Sequence, residues 1–343
     1  SGNSYVSGQW TKSNVYVSLS QAQYGTSNYE SISGSAQTVA TGTTADSLIT
    51  KAGITTLRVK TVDGPNTVYS QNYIVKVDNQ NPTAGTLTMK LNSSTGSTYT
   101  SGNWTNQNVW IHKNDGSDNL SGHQSTTYNV SGAETLNNQT ADNTLQTEGT
   151  YTLTVKTLDK VSNSSTRGYT VKIDKTAPTD VAPIATATTN SITATFKQTD
   201  SLSGINNSSI QYAIKDGNSW SAWQTSKTFT GLKINQTYTI KTKATDNAGN
   251  TQESKELSIT TTELKAGTLT LTKETATGSA YTSGQWSNKN VYVKLVQSST
   301  GTSTYSSTSN SAQLVSAGTT VDTTVSTNGT TTLKVTTTDG NNT

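Results

Sequence analysis

The chain has 343 residues, 13% of them charged, with a formal net charge of +3 and no cysteine. That length exceeds one ordinary domain, and the near-neutral balance excludes a nucleic-acid footprint or a polybasic membrane contact. The missing thiols exclude disulfides, thiolate chemistry and Cys-ligated zinc.

Apolar residues make up only 29%, low enough to suggest disorder, except that they are regularly placed. The first element, "YVSGQWTKSNVYVSL" (Tyr5 to Leu19), alternates Val15, Val17 and Leu19 with Tyr16 and Ser18. Period two with one apolar face predicts a half-buried antiparallel strand. "TLRVKTVDG" from Thr56 and "YIVKVD" (Tyr73 to Asp78) predict further strands, and "DNQNPT" (Asp78 to Thr83) ends the first module. The second opens with "AGTLTMKLN" from Ala84, repeats the tryptophan phrase as "YTSGNWTNQNVWI" (Tyr99 to Ile111), and inserts "SDNLSG" (Ser117 to Gly122). It closes with "TLTVKTLDK" from Thr152, "YTVKID" (Tyr169 to Asp174) and "DKTAPT" (Asp174 to Thr179). The third lacks the tryptophan phrase but carries "TDSLSG" (Thr199 to Gly204), "NSWSAW" (Asn218 to Trp223) and "TIKTKATDN" from Thr239. The fourth returns to the first spelling, with "AGTLTLTKE" from Ala266, "YTSGQWSNKNVYV" (Tyr281 to Val293) and "TLKVTTTDG" from Thr332. The interval from Trp104 to Trp286 is therefore nearly twice that from Trp10 to Trp104, because a differently spelled module lies between.

β-branched residues dominate these phrases and Gly, Asn and Asp clusters separate them, which predicts an all-β chain of two-sheet sandwiches. The expected boundaries are 1–83, 84–177, 178–262 and 263–343. The modules with the tryptophan phrase resemble bacterial immunoglobulin-like repeats, found in tandem on large Gram-positive surface proteins. The third, through "APTDVAPIATATTNSITATF", "GLKINQTYTIKTKATDNAGN" and "ELSITTT", resembles a fibronectin type III domain. The first module lacks the opening strand of the second and fourth, and the fourth lacks the closing strand of the first two. The expectation is that the chain continues in both directions or that a neighbouring copy supplies those strands.

Asp63, Asp159, Asp246 and Asp339 follow strands, and Asp78 and Asp174 sit at module exits. Such aspartates accept hydrogen bonds from turn backbone; alternatively a turn Asp and a junction Asp share calcium, as in resembling arrays. The metal candidates are Asp63, Asp78, Asp159, Asp174 and Asp246, and no other cofactor is expected. Asp118 and Asp200 lie in a variable loop that is either a capped turn or a recognition element. Trp220 and Trp223 are candidate glycan contacts, whereas Trp10, Trp104 and Trp286 are expected to pack in cores. Lys113 stands where the sister modules have Leu19 and Leu295, so it either reaches water at a frayed strand end or forms a cross-link. His112 and His123 are the only histidines and share no triad pattern, so no enzyme is expected.

These readings predict a structural stalk, fibre or adhesin shaft on a bacterial cell surface, cell wall or virion. Its partners would be neighbouring modules or copies and a host or matrix glycan or protein, without nucleic acid or membrane insertion. The rival readings are an accessory, carbohydrate-binding spacer of a glycan-active enzyme and a filament or phage subunit that exchanges strands.

Overall fold

The computed structural model describes residues 4–39, 41, 46–319 and 323–340. The expected outer limits, residues 1 and 343, lie outside these. Two compact units, 1–175 and 176–343, are each built from pairs of small sheets.

In the first module the strands are β1 (Trp10–Thr11), β2 (Val15–Val17), β3 (Thr26–Ser31), β4 (Ser47–Ile49), β5 (Gly53–Asp63), β6 (Asn66–Tyr69) and β7 (Tyr73–Val77). One sheet runs β1-β7-β5-β3 with β6 on β5, and the other is β2-β4 alone. Val15, Tyr29, Ile49, Leu57, Val75 and Val77 fill the space between them.

The second module contains β8 (Thr86–Leu91), β9 (Trp104–Thr105), β10 (Val109–Asn114), β11 (His123–Gly132) and β12 (Leu136–Gln139). It continues with β13 (Asn143–Leu145), β14 (Gly149–Asp159) and β15 (Ser164–Ile173). Sheet β13-β10-β8 faces sheet β12-β11-β14-β15-β9. Along β14 the alternation is complete: Tyr151, Leu153 and Val155 are buried, and Thr150, Thr152 and Lys156 are exposed. Ile111, Tyr128, Leu145, Val171 and Ile173 complete the core.

The second unit opens with β16 (Ile184–Ala187), β17 (Ser191–Thr195), β18 (Gln211–Asp216), β19 (Ser219–Trp220), β20 (Thr228–Thr230), β21 (Thr237–Thr245), β22 (Thr251–Glu253) and β23 (Leu257–Thr260). Sheet β16-β17-β20 covers the sheet centred on β18 and β21 over Ile192, Phe229, Tyr238 and Ile240. β24 (Thr268–Lys273), β25 (Val291–Val296), β26 (Thr302–Ser307), β27 (Thr323–Val325) and β28 (Leu333–Thr338) follow. They form sheets β24-β25-β27 and β26-β28.

Two local expectations are corrected. The buried aromatic residues are tyrosines, with Phe229; Trp10 and Trp104 are only half-buried and Trp286 is 86% exposed. Trp10 and Trp104 belong to short edge strands, so they lie beside a sheet rather than between sheets. The strand bearing Lys113 does not fray: Lys113 pairs with Leu87 in the β10–β8 register, which runs on to Asn114. Its ammonium satisfies itself on the Asp115 carboxylate, two residues along. The hydrogen bond from that ammonium, and then its charge, hold the Asp115 carboxyl below its ordinary range.

Hydroxyl pairs, buried in the second and fourth modules and part-buried in the first, recur at one level of three modules. Thr126 and Thr157 meet at 3.1 Å, Ser27 and Thr61 at 2.8 Å, and Ser303 and Thr337 at 2.7 Å. In the second and fourth modules the pair also takes the N–H of the opening glycine, Gly85 on Thr157 at 3.0 Å and Gly267 on Thr337 at 2.9 Å. A side chain at Gly267 would put Cβ 2.4 Å from Ser303 Oγ, so the close approach requires glycine.

Candidate functional site

At the joint between the first two modules, the chain leaves β7 through Asp78, whose own N–H bonds Thr11 O at 2.8 Å. Its carboxylate accepts from Gln80 N at 3.2 Å and, across the joint, from Ser121 N at 3.0 Å. Asn163 Nδ2 donates to Asp78 O at 2.8 Å, and Ser165 Oγ to Pro82 O at 2.5 Å. A two-way backbone bridge joins Thr83 and Ser117 at 2.7 and 3.2 Å. The junction is thus bonded into the second module rather than draped over it.

Two further aspartates converge here. Asp118 folds its loop by accepting from Leu120 N at 3.0 Å and Gly122 N at 2.7 Å. Asp159 accepts from Val161 N, Asn163 N and Asn163 Nδ2 at 2.7–2.9 Å. Carboxylate oxygens of Asp78, Asp118 and Asp159 lie within 4.8 Å of one another, with Asp78 and Asp159 fully buried. Among the described residues no basic side chain lies within 4.0 Å of any of the three. Like charges at this separation repel by roughly 3–4 kcal/mol per pair at an effective dielectric of 20. The N–H donors offset part of that, and a hard cation would offset more. The donor set suits one, being all oxygen, and the buried Ser121 hydroxyl beside it has no partner.

The sequence candidates divide accordingly. Asp78 and Asp159 come together; Asp118, read from sequence as a turn or recognition residue, joins them. Asp63 stands apart in the exposed hairpin turn between β5 and β6. Asp174 ends β15 as Asp78 ends β7, with its N–H on Thr105 O at 2.9 Å. In the second unit Asp200 caps its loop through Leu202 N and Gly204 N, and Asp246 takes the N–H groups of Ala248, Gly249 and Asn250.

Trp220 and Trp223 share the outer face of the β18–β21 sheet. Ser221 makes this spacing work: its N–H bonds Ile214 O at 2.8 Å, and its Oγ accepts Ile214 N at 3.1 Å. The rings alternate with lysines in the order Lys215, Trp220, Lys241, Trp223, Lys243, with ammonium-to-ring distances of 5.9, 4.4, 5.2 and 4.5 Å. Glu253 pairs with Lys241 at 2.7 Å. Cations therefore lie over these ring faces. His112 stacks on Trp110 and bonds Asp142 at 2.7 Å, and His123 bonds Thr126 at 2.9 Å, so the two serve separate local contacts.

No protein-family model matches the chain, and no curated protein does. Solved structures similar to it include a tetra-tandem repeat in the extending region of a large adhesion protein, 14% identical with TM-score 0.27, covering 94% of this chain and 86% of that one. The fibronectin(III)-like modules of Clostridium thermocellum CbhA are 16% identical with TM-score 0.23, covering 48% and 87%. The FN1-FN3 domains of chicken CNTN1 are 14% identical with TM-score 0.24, covering 75% and 98%. Likeness at these TM-scores carries no argument, and the fold stands on the paired sheets themselves: the chain is an all-β tandem array of immunoglobulin-like and fibronectin type III-like sandwiches.

Proposed function

We propose that the chain is a load-bearing spacer of an extracellular surface protein, a stalk or adhesin shaft that sets the distance between an anchor and a displayed binding element. The observation that supports this is the joint at Asp78. Bonds from Ser121, Asn163 and Ser165 fix the link between modules, and a spacer transmits distance only if its links are fixed. We further propose that Asp78, Asp118 and Asp159 hold a calcium ion, which would supply charge neutralisation and tie the Asp118 loop to the junction. The sparse charge and Ser/Thr/Asn-rich surface suit an extracellular, hydrated setting. Among the described residues no helix is long and apolar enough to cross a membrane.

Force spectroscopy on the full chain tests the reading. Four separate unfolding steps are expected, each releasing roughly 300 Å of chain at 3.3–3.6 Å per residue. Millimolar calcium should raise the thermal midpoint of the wild-type chain by several degrees and leave Asp118→Asn unmoved. One continuous extension at low force would overturn the spacer reading. A midpoint indifferent to calcium would remove the ion.

A further inference from the structure

The outer face of the larger sheet in the third module carries its positive charge in a row. Along β21 the buried residues are Tyr238, Ile240, Thr242 and Ala244, so Lys241 and Lys243 point outward. Lys215 shares that face: it stands opposite Thr239, while Ala213 stands opposite Lys241 and Gln211 opposite Lys243. The three lysines therefore occupy three successive levels, each two residues from the next. Two residues of strand are six backbone bonds, so the levels lie about 7 Å apart. Trp220 pairs with Lys215 in register. Its ring reaches toward Lys241, and Trp223 bridges Lys241 and Lys243.

This arrangement changes what the two indoles can do. Each ring already holds two ammonium groups, Lys215 and Lys241 on Trp220, Lys241 and Lys243 on Trp223. A sugar or nucleobase would have to displace one of them to stack there. The row is also short of counter-charge. Glu253 pairs with Lys241, but among the described residues no carboxylate lies within 4.0 Å of Lys215 or Lys243. Asp216 is exposed at the hairpin end, opposite Ser219. Around the row the face is rich in hydroxyls. Thr237 meets Thr260 at 2.8 Å, Thr239 meets Ser258 at 3.4 Å, and Thr245 meets Thr251 at 2.8 Å.

We infer that this face binds a poly(polyol phosphate), a chain of short polyols joined by phosphodiesters with one negative charge per repeat. A three-carbon polyol between two phosphorus atoms makes a repeat of six bonds. That is the bond count of two strand residues, so its charges extend to the same spacing of about 7 Å. Successive phosphodiesters meet Lys215, Lys241 and Lys243, and the polyol hydroxyls meet the flanking threonines. The indoles are positioning residues that hold the ammonium groups at their levels through cation–π contact. A single nucleic-acid strand has the same six-bond repeat, but its bases need the ring surface that the lysines occupy. This inference goes beyond the spacer reading and does not rest on it.

The test is titration of the full chain with a fluorescently labelled glycerol phosphate oligomer, against neutral dextran and a thymidine oligonucleotide of equal charge. Saturable binding of the first alone is expected, with Lys215 and Lys243 shielded from acetylation. Its log–log salt slope should be about −2, as three ammonium contacts release counterions. Lys215→Gln combined with Lys243→Gln should weaken binding about tenfold and reduce the slope to about −0.7. Glu253→Gln, which frees Lys241, should tighten binding about twofold. A gain of affinity cannot come from a chain that fails to fold, so this variant keeps the test decisive if the double variant melts early. No uptake, equal uptake of the thymidine oligomer, or dextran binding lost in Trp220→Ala would overturn the inference. So would indifference to both the lysine and the glutamate changes.

Discussion

Single residues here act as internal reference points, because each module supplies a control for its sisters. Thr157 shows what one buried hydroxyl does: it bonds Thr126 and receives the Gly85 N–H. Thr157→Val keeps the shape and removes the acceptor, leaving a buried N–H unpaired. Thermal or denaturant unfolding of the second module should show a loss of about 1–3 kcal/mol. The same change at Thr61 should cost less, since among the described residues no glycine N–H meets Thr61. Equal losses at both sites would show that the glycine bond adds nothing. At this scale the sequence was partly legible. Asp78 and Asp159 were identifiable by position, but Asp118 was not, because its loop reaches the junction only by folding back on its own carboxylate. One signal was present: the two "D-x-L-S-G"-bearing loops occur only in modules that follow an Asp-x-x-x-Pro-Thr junction.

Elements were the most legible level. Alternation in "TLTVK" and "YTVKI" gives β14 and β15 directly, since period two leaves only one choice of buried face. The tryptophan phrase was harder. A conspicuous aromatic before a core strand suggests packing, yet Trp10 and Trp104 lie outside the core beside the closing strand, because β1 and β9 pair at a sheet edge in parallel. That contact joins residues far apart in sequence, so no local period encodes it. The lysine–tryptophan stack on β18–β21 is similarly non-local. Lys241 touches both indoles and Glu253, so Lys241→Ala should lower the stability of the third module by about 1–2 kcal/mol. Lys215→Ala, with one contact at 5.9 Å, should cost less. Chemical denaturation of both variants, followed by indole fluorescence, checks the order.

Across the whole molecule, tyrosines join the aliphatic cores of both units, and the chain has no cysteine with which to form disulfides. Burial raises the hydroxyl pKa of Tyr99, Tyr128 and Tyr151 in the first unit and of Tyr212 in the second. A folded-state pKa above the unfolded value of about 10 means that the unfolded chain loses its proton first. The stabilising contribution is complete below that pH and is lost as pH rises through the folded value. The melting temperature should therefore be flat from pH 7 to 9 and fall above about pH 10. Tyr212→Phe should blunt the fall in the second unit, and a melting temperature that rises between pH 10 and 11 would contradict the sign. The parallel seams of the first two modules have a mechanical consequence as well. β7 and β15 are each held along both edges, by β5 and β1 in one module and by β14 and β9 in the other. Tension applied lengthwise to such a strand meets two rows of transverse bonds in shear, which must give way together instead of peeling apart singly.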